Sequence, residues 1–139
     1  MKLLSYNILE GGAGRIDPLA EVIRLAAPDI VILAEPWDES LFHKLADRLH
    51  MDRFLAENPK NPHGSTGLLT TLKIKEAVNH APLDPRLTRS AFHAILELPS
   101  KNSAPKTHHL PIIGLHLHAR ETLADEAIRL AELPALFDI

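Results

Sequence analysis

Cysteine is absent from the 139 residues, which excludes a disulfide framework, thiol catalysis and a thiolate metal site. Cationic side chains are also in short supply. Fifteen Lys and Arg stand against eighteen Asp and Glu, for a net charge of −3. Non-specific nucleic-acid binding rests on many Lys/Arg–phosphate contacts, so this balance argues against a broad nucleic-acid-binding surface. It leaves room for an enzyme that touches one or two phosphates. No stretch approaches the ~20 apolar residues needed to cross a bilayer. The N-terminal segment lacks the basic start, apolar stretch and small-residue cleavage site of a secretory signal. The expected setting is the cytoplasm, away from membranes. What is present is ordinary for a folded chain: 45% hydrophobic and 24% charged residues, no low-complexity tract and no visible internal repeat. The length fits one domain, 1–139.

Three short segments carry the information. Residues 2–9 alternate, with Leu4, Tyr6 and Ile8 on one face and Leu3, Ser5 and Asn7 on the other, as in a strand. Ile30 to Ala34 has no polar position and reads as a central strand buried on both faces. Ile112, Ile113, Gly114, Leu115 and His116 belong to a third strand, expected over 110–118. Between the first two strands, Asp17 is expected to cap a helix with Pro18 at its first position. Leu19, Val22, Ile23 and Ala26 would form its apolar stripe. Strand, helix and strand at this spacing form a βαβ unit, so strands one and two should be parallel neighbours. Asn7 and Glu35 would then share one rim, where open α/β sheets bind ligands.

Beyond Pro36, Asp38 can cap a second helix. Leu41, Phe42, Leu45 and Leu49 turn it toward the sheet. Residues 51–56 suggest a short strand, and Pro and Asn mark a loop over 58–64. Residues 66–72, 77–78 and 91–98 read as further strands, mostly antiparallel. A polar turn at 100–107 leads to the last strand, and a helix over 121–133 should stop at Pro134.

Ser5-Tyr6-Asn7-Ile8-Leu9, Pro28-Asp29-Ile30-Val31-Ile32-Leu33-Ala34-Glu35 and Gly114-Leu115-His116-Leu117, in that order, resemble the endonuclease/exonuclease/phosphatase superfamily, the DNase-I-like fold. Thr66-Gly67-Leu68-Leu69-Thr70 and Leu87-Thr88-Arg89-Ser90-Ala91 are similar to two more of its segments, and Arg129 falls where its following helix carries an Arg. The resemblance implies a mixed β-sheet flanked by helices, half of a four-layer α/β sandwich. It also implies a metal-dependent phosphoesterase chemistry: Glu35 as ligand to Mg²⁺ or Mn²⁺, Asn7 and His116 as catalytic residues, and Arg89 leaning toward substrate phosphate. A phosphate ester, nucleic acid among the candidates, is the implied substrate. Two departures stand out. Ala34 replaces the usual Gln, and Gly114-Leu115-His116 lacks the Thr of the family's Thr-His-Leu step. The family's Asp-x-Asn and Ser-Asp-His steps do not follow His116, so the resemblance implies the N-terminal half of such a domain, with little or no activity alone.

Each residue also has a plainer reading. Glu35 can close a strand in solvent, Asn7 can serve a turn before glycines, and Arg89 can be a strand-edge cation. His116 and His118, two apart on a strand, would share one face. They are either hydrogen-bonded strand histidines or, in an H-x-H reading, part of a zinc pair. The non-enzymatic alternative is a folded fragment or scaffold that self-associates through an uncovered sheet face.

Overall fold

The computed structural model describes residues 1–99 and 108–139; the polar turn expected at 100–107 lies outside the described residues. Among the described residues seven strands form two sheets. The first contains β1 (Leu3–Asn7), β2 (Ile30–Ala34), β3 (Asp52–Ala56) and β4 (Thr66–Thr70), in the order β1-β2-β4-β3. The second contains β5 (Lys73–Asn79), β6 (Ala91–Leu98) and β7 (His108–Leu115), in that order. β1 and β2 are parallel neighbours as the βαβ spacing requires, with Asn7 opposite Ala34. All other pairings are antiparallel.

The helices are α1 (Ile16–Ala26), α2 (Glu39–Leu49) and α3 (Leu123–Phe137). α1 and α2 cover one face of the first sheet, closing a core around Leu19, Ile23, Val31, Leu33, Phe42 and Leu45. Its other face packs on the second sheet through Ile30, Leu68, Phe92, Ala94 and Leu96. β2 is therefore buried from both sides, as its unbroken apolar run demands. The uncovered face expected for half of a sandwich is thus not on the first sheet. It lies on the outer side of the second, where Ile113 and Leu115 remain 49% and 40% exposed.

Several local expectations need correction. α1 begins at Ile16 with Arg15 in the capping position and no side-chain cap, so Asp17 sits inside the helix and pairs with Arg48 instead. Val22 is exposed and Ala20 takes its place in the core, because the helix turns Leu19, Ala20 and Ile23 inward. Asp38 does cap α2, accepting from Leu41 N at 2.9 Å. Helix α3 does not stop at Pro134 but runs through it to Phe137. Pro134 lies on the exposed side with Leu130, so the Leu130 carbonyl that loses an N–H partner faces the water side.

α3 is laid on with its polarity reversed. Leu123, Leu130 and Phe137, seven residues apart, are 91%, 57% and 84% exposed, while Asp125 and Glu132 are turned inward. Its apolar contact with the body is small, made by Ala135, Leu136 and Ile139 with Leu87 and Ala91.

Candidate functional site

Parallel pairing of β1 with β2 delivers the first two candidate residues to one place. Asn7 Nδ2 donates to Glu35 Oε1 at 3.0 Å, and Glu10 N donates to Glu35 Oε2 at 3.3 Å. Asn7 Oδ1 accepts from Leu9 N at 2.8 Å, which fixes the amide with its nitrogen toward the acid. The backbone here is unusual. Leu9, Glu10 and Glu35 all have positive φ, at 49°, 51° and 67°. A left-handed non-glycine residue costs about 1–3 kcal/mol and persists where its surroundings hold it. Glu35 is held by Gly11 N donating to its carbonyl at 2.9 Å and by its own N–H donating to Ser65 O at 3.0 Å. Pro36 follows and keeps it out of the right-handed helical region.

Arg89 and His116 form the second pair. An Arg89 guanidinium nitrogen contacts both ring nitrogens of His116, the longer contact being 3.3 Å to Nδ1. Arginine can only donate, so the imidazole must accept, which requires its neutral form. Its pKa is accordingly lowered, by burial first and then by the Arg89 charge, against opposing contributions from Glu35, the Ser65 backbone and Glu132. Glu35 titrates below the ordinary carboxylate value. Burial pushes it up, but the Asn7 and Glu10 hydrogen bonds, the charge of His116 once that ring is protonated in acid, and the charge of Arg89 outweigh that. The four candidates thus share one electrostatic neighbourhood.

The expectation that His116 and His118 share a strand face is overturned. β7 ends at Leu115, opposite Ala91 at the start of β6, so both histidines lie past the last paired position. His116 turns to Arg89, while His118 Nε2 meets Asp125 Oδ1 at 2.7 Å. Asp125 also closes a capping box with Thr122, and its pKa is held down at about 2 by the Thr122 and His118 hydrogen bonds.

The sequence reasoning missed a polar layer beneath the site. Asn58 is 5% exposed; its Oδ1 accepts from Lys60 N and Asn61 N, and its Nδ2 donates to Thr88 O at 3.1 Å. Ser90 Oγ donates to Thr66 Oγ1 at 2.7 Å, both residues buried. Glu132 is 1% exposed. Glu132 gave one sign of this: it stands among apolar residues in a terminal helix. A ring pair, Trp37 with His63 at 5.2 Å, flanks the segments that follow Glu35 and precede Gly64.

Among the described residues no group of three or more His, Asp or Glu side chains converges in the manner of a closed metal cage. What converges is one ionised carboxylate. Each Glu35 oxygen accepts a single hydrogen bond, so lone pairs remain on both. This donor set fits a hard cation that keeps most of its water, such as Mg²⁺ bound through one or two carboxylates and substrate phosphate.

No family model and no curated protein matches the chain. Solved structures do. A conserved protein of unknown function from Enterococcus faecalis V583 superposes with a TM-score of 0.71 at 15% identity, over 99% of this chain and 60% of that one. TDP2 of D. rerio, complexed with a single-strand DNA product, gives 0.69 at 17% identity, over 99% and 53%. TDP2 of Caenorhabditis elegans gives 0.66 at 19% identity, over 99% and 40%. The chain therefore has a mixed α/β fold of the DNase-I-like type, with two sheets and three helices, and it spans between two and three fifths of the length of these structures.

Proposed function

We propose that this chain is the N-terminal part of a divalent-cation-dependent phosphoesterase, acting on a phosphodiester or phosphomonoester. The observation that carries the reading is the Asn7–Glu35 hydrogen bond at 3.0 Å at the ends of adjacent parallel strands, in the same electrostatic neighbourhood as Arg89 and His116. Glu35, kept ionised, is the cation ligand. Asn7 holds that carboxylate in one orientation. Bound Mg²⁺ or Mn²⁺ supplies Lewis-acid polarisation of a phosphoryl oxygen. Arg89 offers fixed positive charge to phosphate oxygens, and His116, kept neutral, can donate or accept one proton at a ring nitrogen. The D. rerio neighbour holds a single-strand DNA product, which makes a short single strand the first ligand to try.

One carboxylate binds Mg²⁺ weakly, and among the described residues no group of three or more potential metal ligands converges. The chain alone is therefore expected to bind the cation but to turn over phosphodiesters slowly or not at all. The test is Mn²⁺ titration followed by paramagnetic broadening of the Asn7 side-chain amide. Broadening in the wild type that disappears in Glu35→Gln supports the reading. Broadening that survives the substitution, or is centred on other residues, removes it. A non-catalytic, self-associating fragment is the second reading, favoured by exposed Ile113, Leu115, Leu130 and Phe137. Light scattering showing a monomer at every concentration would eliminate it. The H-x-H zinc reading loses its geometry, since both histidines lie past the end of β7 and turn apart, His116 to Arg89 and His118 to Asp125.

A further inference from the structure

Among the described residues two acids that the proposed chemistry does not use are buried, Asp125 at 8% and Glu132 at 1% exposed, and Glu132 is the deeper. Glu132 lies on α3, and every partner it has is a donor. Oε1 accepts from Thr88 N at 3.0 Å and from Thr88 Oγ1 at 2.5 Å, and Oε2 accepts from His118 N at 3.0 Å. Burying a carboxylate is costly unless donors replace its water, and here three do so. An amide at this position would turn an N–H toward a donor, so the site selects an acid over its isostere.

The two segments that Glu132 ties together are the ones that carry the Arg89–His116 pair. Thr88 directly precedes Arg89, and His118 follows His116 by two residues. The same strip of backbone is held elsewhere as well. Asn58 Nδ2 donates to Thr88 O at 3.1 Å, Ser90 N donates to Gly64 O at 2.9 Å, and His116 N donates to Ser90 O at 3.0 Å. Gly64 lies against Arg89 so closely that a Cβ there would meet Arg89 Cγ at 3.0 Å and Cα at 3.1 Å. By contrast, Arg89 Nε is buried without a partner among the described residues. The guanidinium is aimed by the position of its backbone more than by pairing along its own length.

We propose that Glu132 is a positioning residue: by accepting from Thr88 and His118 at once, it fixes the spacing of the Arg89 and His116 segments and so sets the Arg89–His116 pair for a phosphate group. The inference rests on the phosphate role given above to that pair. α3 contributes no group to the rim itself; its carboxylate acts from beneath.

The test compares the full chain with Glu132→Gln, Glu132→Ala and Thr88→Val by NMR, using inorganic phosphate and Mn²⁺ as probes. The expected order of phosphate weakening, read from His116 ring signals, is Glu132→Ala, then Glu132→Gln, then Thr88→Val, with Glu132→Gln weaker than wild type by roughly fivefold, as for one lost hydrogen bond. Amide exchange at Arg89 and Ser90 should quicken in the same order, while Mn²⁺ broadening at Asn7 stays unchanged, which a general loss of stability would not spare. A folded Glu132→Gln with wild-type His116 ring shifts and wild-type exchange at Arg89 and Ser90 overturns the inference. If phosphate leaves the wild-type His116 signals unmoved, the phosphate reading falls, and ring shifts and exchange still decide the role of Glu132. Should both Glu132 variants fail to fold, Thr88→Val decides it, an unchanged His116 ring counting against.

Discussion

Gly114→Ala tests the packing that seats His116. Gly114 lies in β7 opposite Phe92 of β6, and a Cβ built on it would overlap Phe92 Cε1 and Cζ and lie 3.0 Å from Cδ1. Real Cβ atoms essentially never sit so close to a ring carbon, so something must move by the better part of an ångström. Phe92 cannot withdraw easily. It is fully buried between the two sheets and packs edge-on against Phe54 at a centroid separation of 5.8 Å. β7, which among the described residues pairs only with β6, is the softer element. Overpacking of this kind costs about 1–3 kcal/mol, and with the ring held from two sides the upper end applies. For a chain of this length that corresponds to a fall in melting temperature of ~10 °C. Calorimetry or circular dichroism would read it. Phe92→Leu should relieve the overlap, so the double variant should be more stable than the two single effects predict by ~1–2 kcal/mol. Because Gly114 precedes His116 by two residues, the His116 ring signals should shift as well. A Gly114→Ala melting temperature within ~2 °C of wild type, or strict additivity with Phe92→Leu, would refute the β6–β7 packing.

Asn58→Ala removes three hydrogen bonds, to Lys60 N, Asn61 N and Thr88 O, from a side chain that is almost wholly buried. It should cost ~2 kcal/mol in urea unfolding, and a change under ~0.5 kcal/mol would speak against that junction. His116 has a folded pKa below its unfolded value, so its neutral form stabilises the fold. That contribution is fully present above the unfolded value of 6.5 and is lost as pH falls through the folded value. His116→Asn should flatten the stability profile in that window, and an unchanged profile would count against a neutral imidazole there. Glu35 has the opposite protonation logic and the same direction: its lowered pKa gives stability above 4.5 that fades with acid. Asn7→Ala, which removes the hydrogen bond that most favours its charged form, should move the Glu35 carboxyl resonance midpoint upward in a ¹³C-detected titration.

The parts of the fold that were legible in the sequence were those where one local rule had no competitor. Ile30 to Ala34 could only be an interior strand, and a helix of α1's length between two strands forced the parallel pairing that joins Asn7 to Glu35. Asp38 was readable as a cap because a capping side chain acts within three residues. Asp17 was not, because Arg48, thirty-one residues later, competes for its carboxylate. The alternation of apolar residues and histidines carried the last strand to position 118 on paper. In space β7 stops where β6 begins, since a strand lasts only as long as its neighbour. Pro134 looked like a stop because sequence does not say which side of a helix faces water. Glu132 showed only as an acid among apolar residues for a related reason: its partners, two backbone N–H groups and the Thr88 hydroxyl, lie on distant segments that the residue string does not connect to it.

Reversed polarity gives α3 an unusual form of attachment. A helix that turns its oily side outward is moored by acids, Asp125 on His118 and Glu132 on Thr88 and His118, with one alanine buried beneath it. The Asp125 mooring responds to protons where an aliphatic core does not. As pH drops from 3.8 toward about 2, Asp125 gives up its share, and α3 should swing away first, leaving both sheets and their cores intact beneath it.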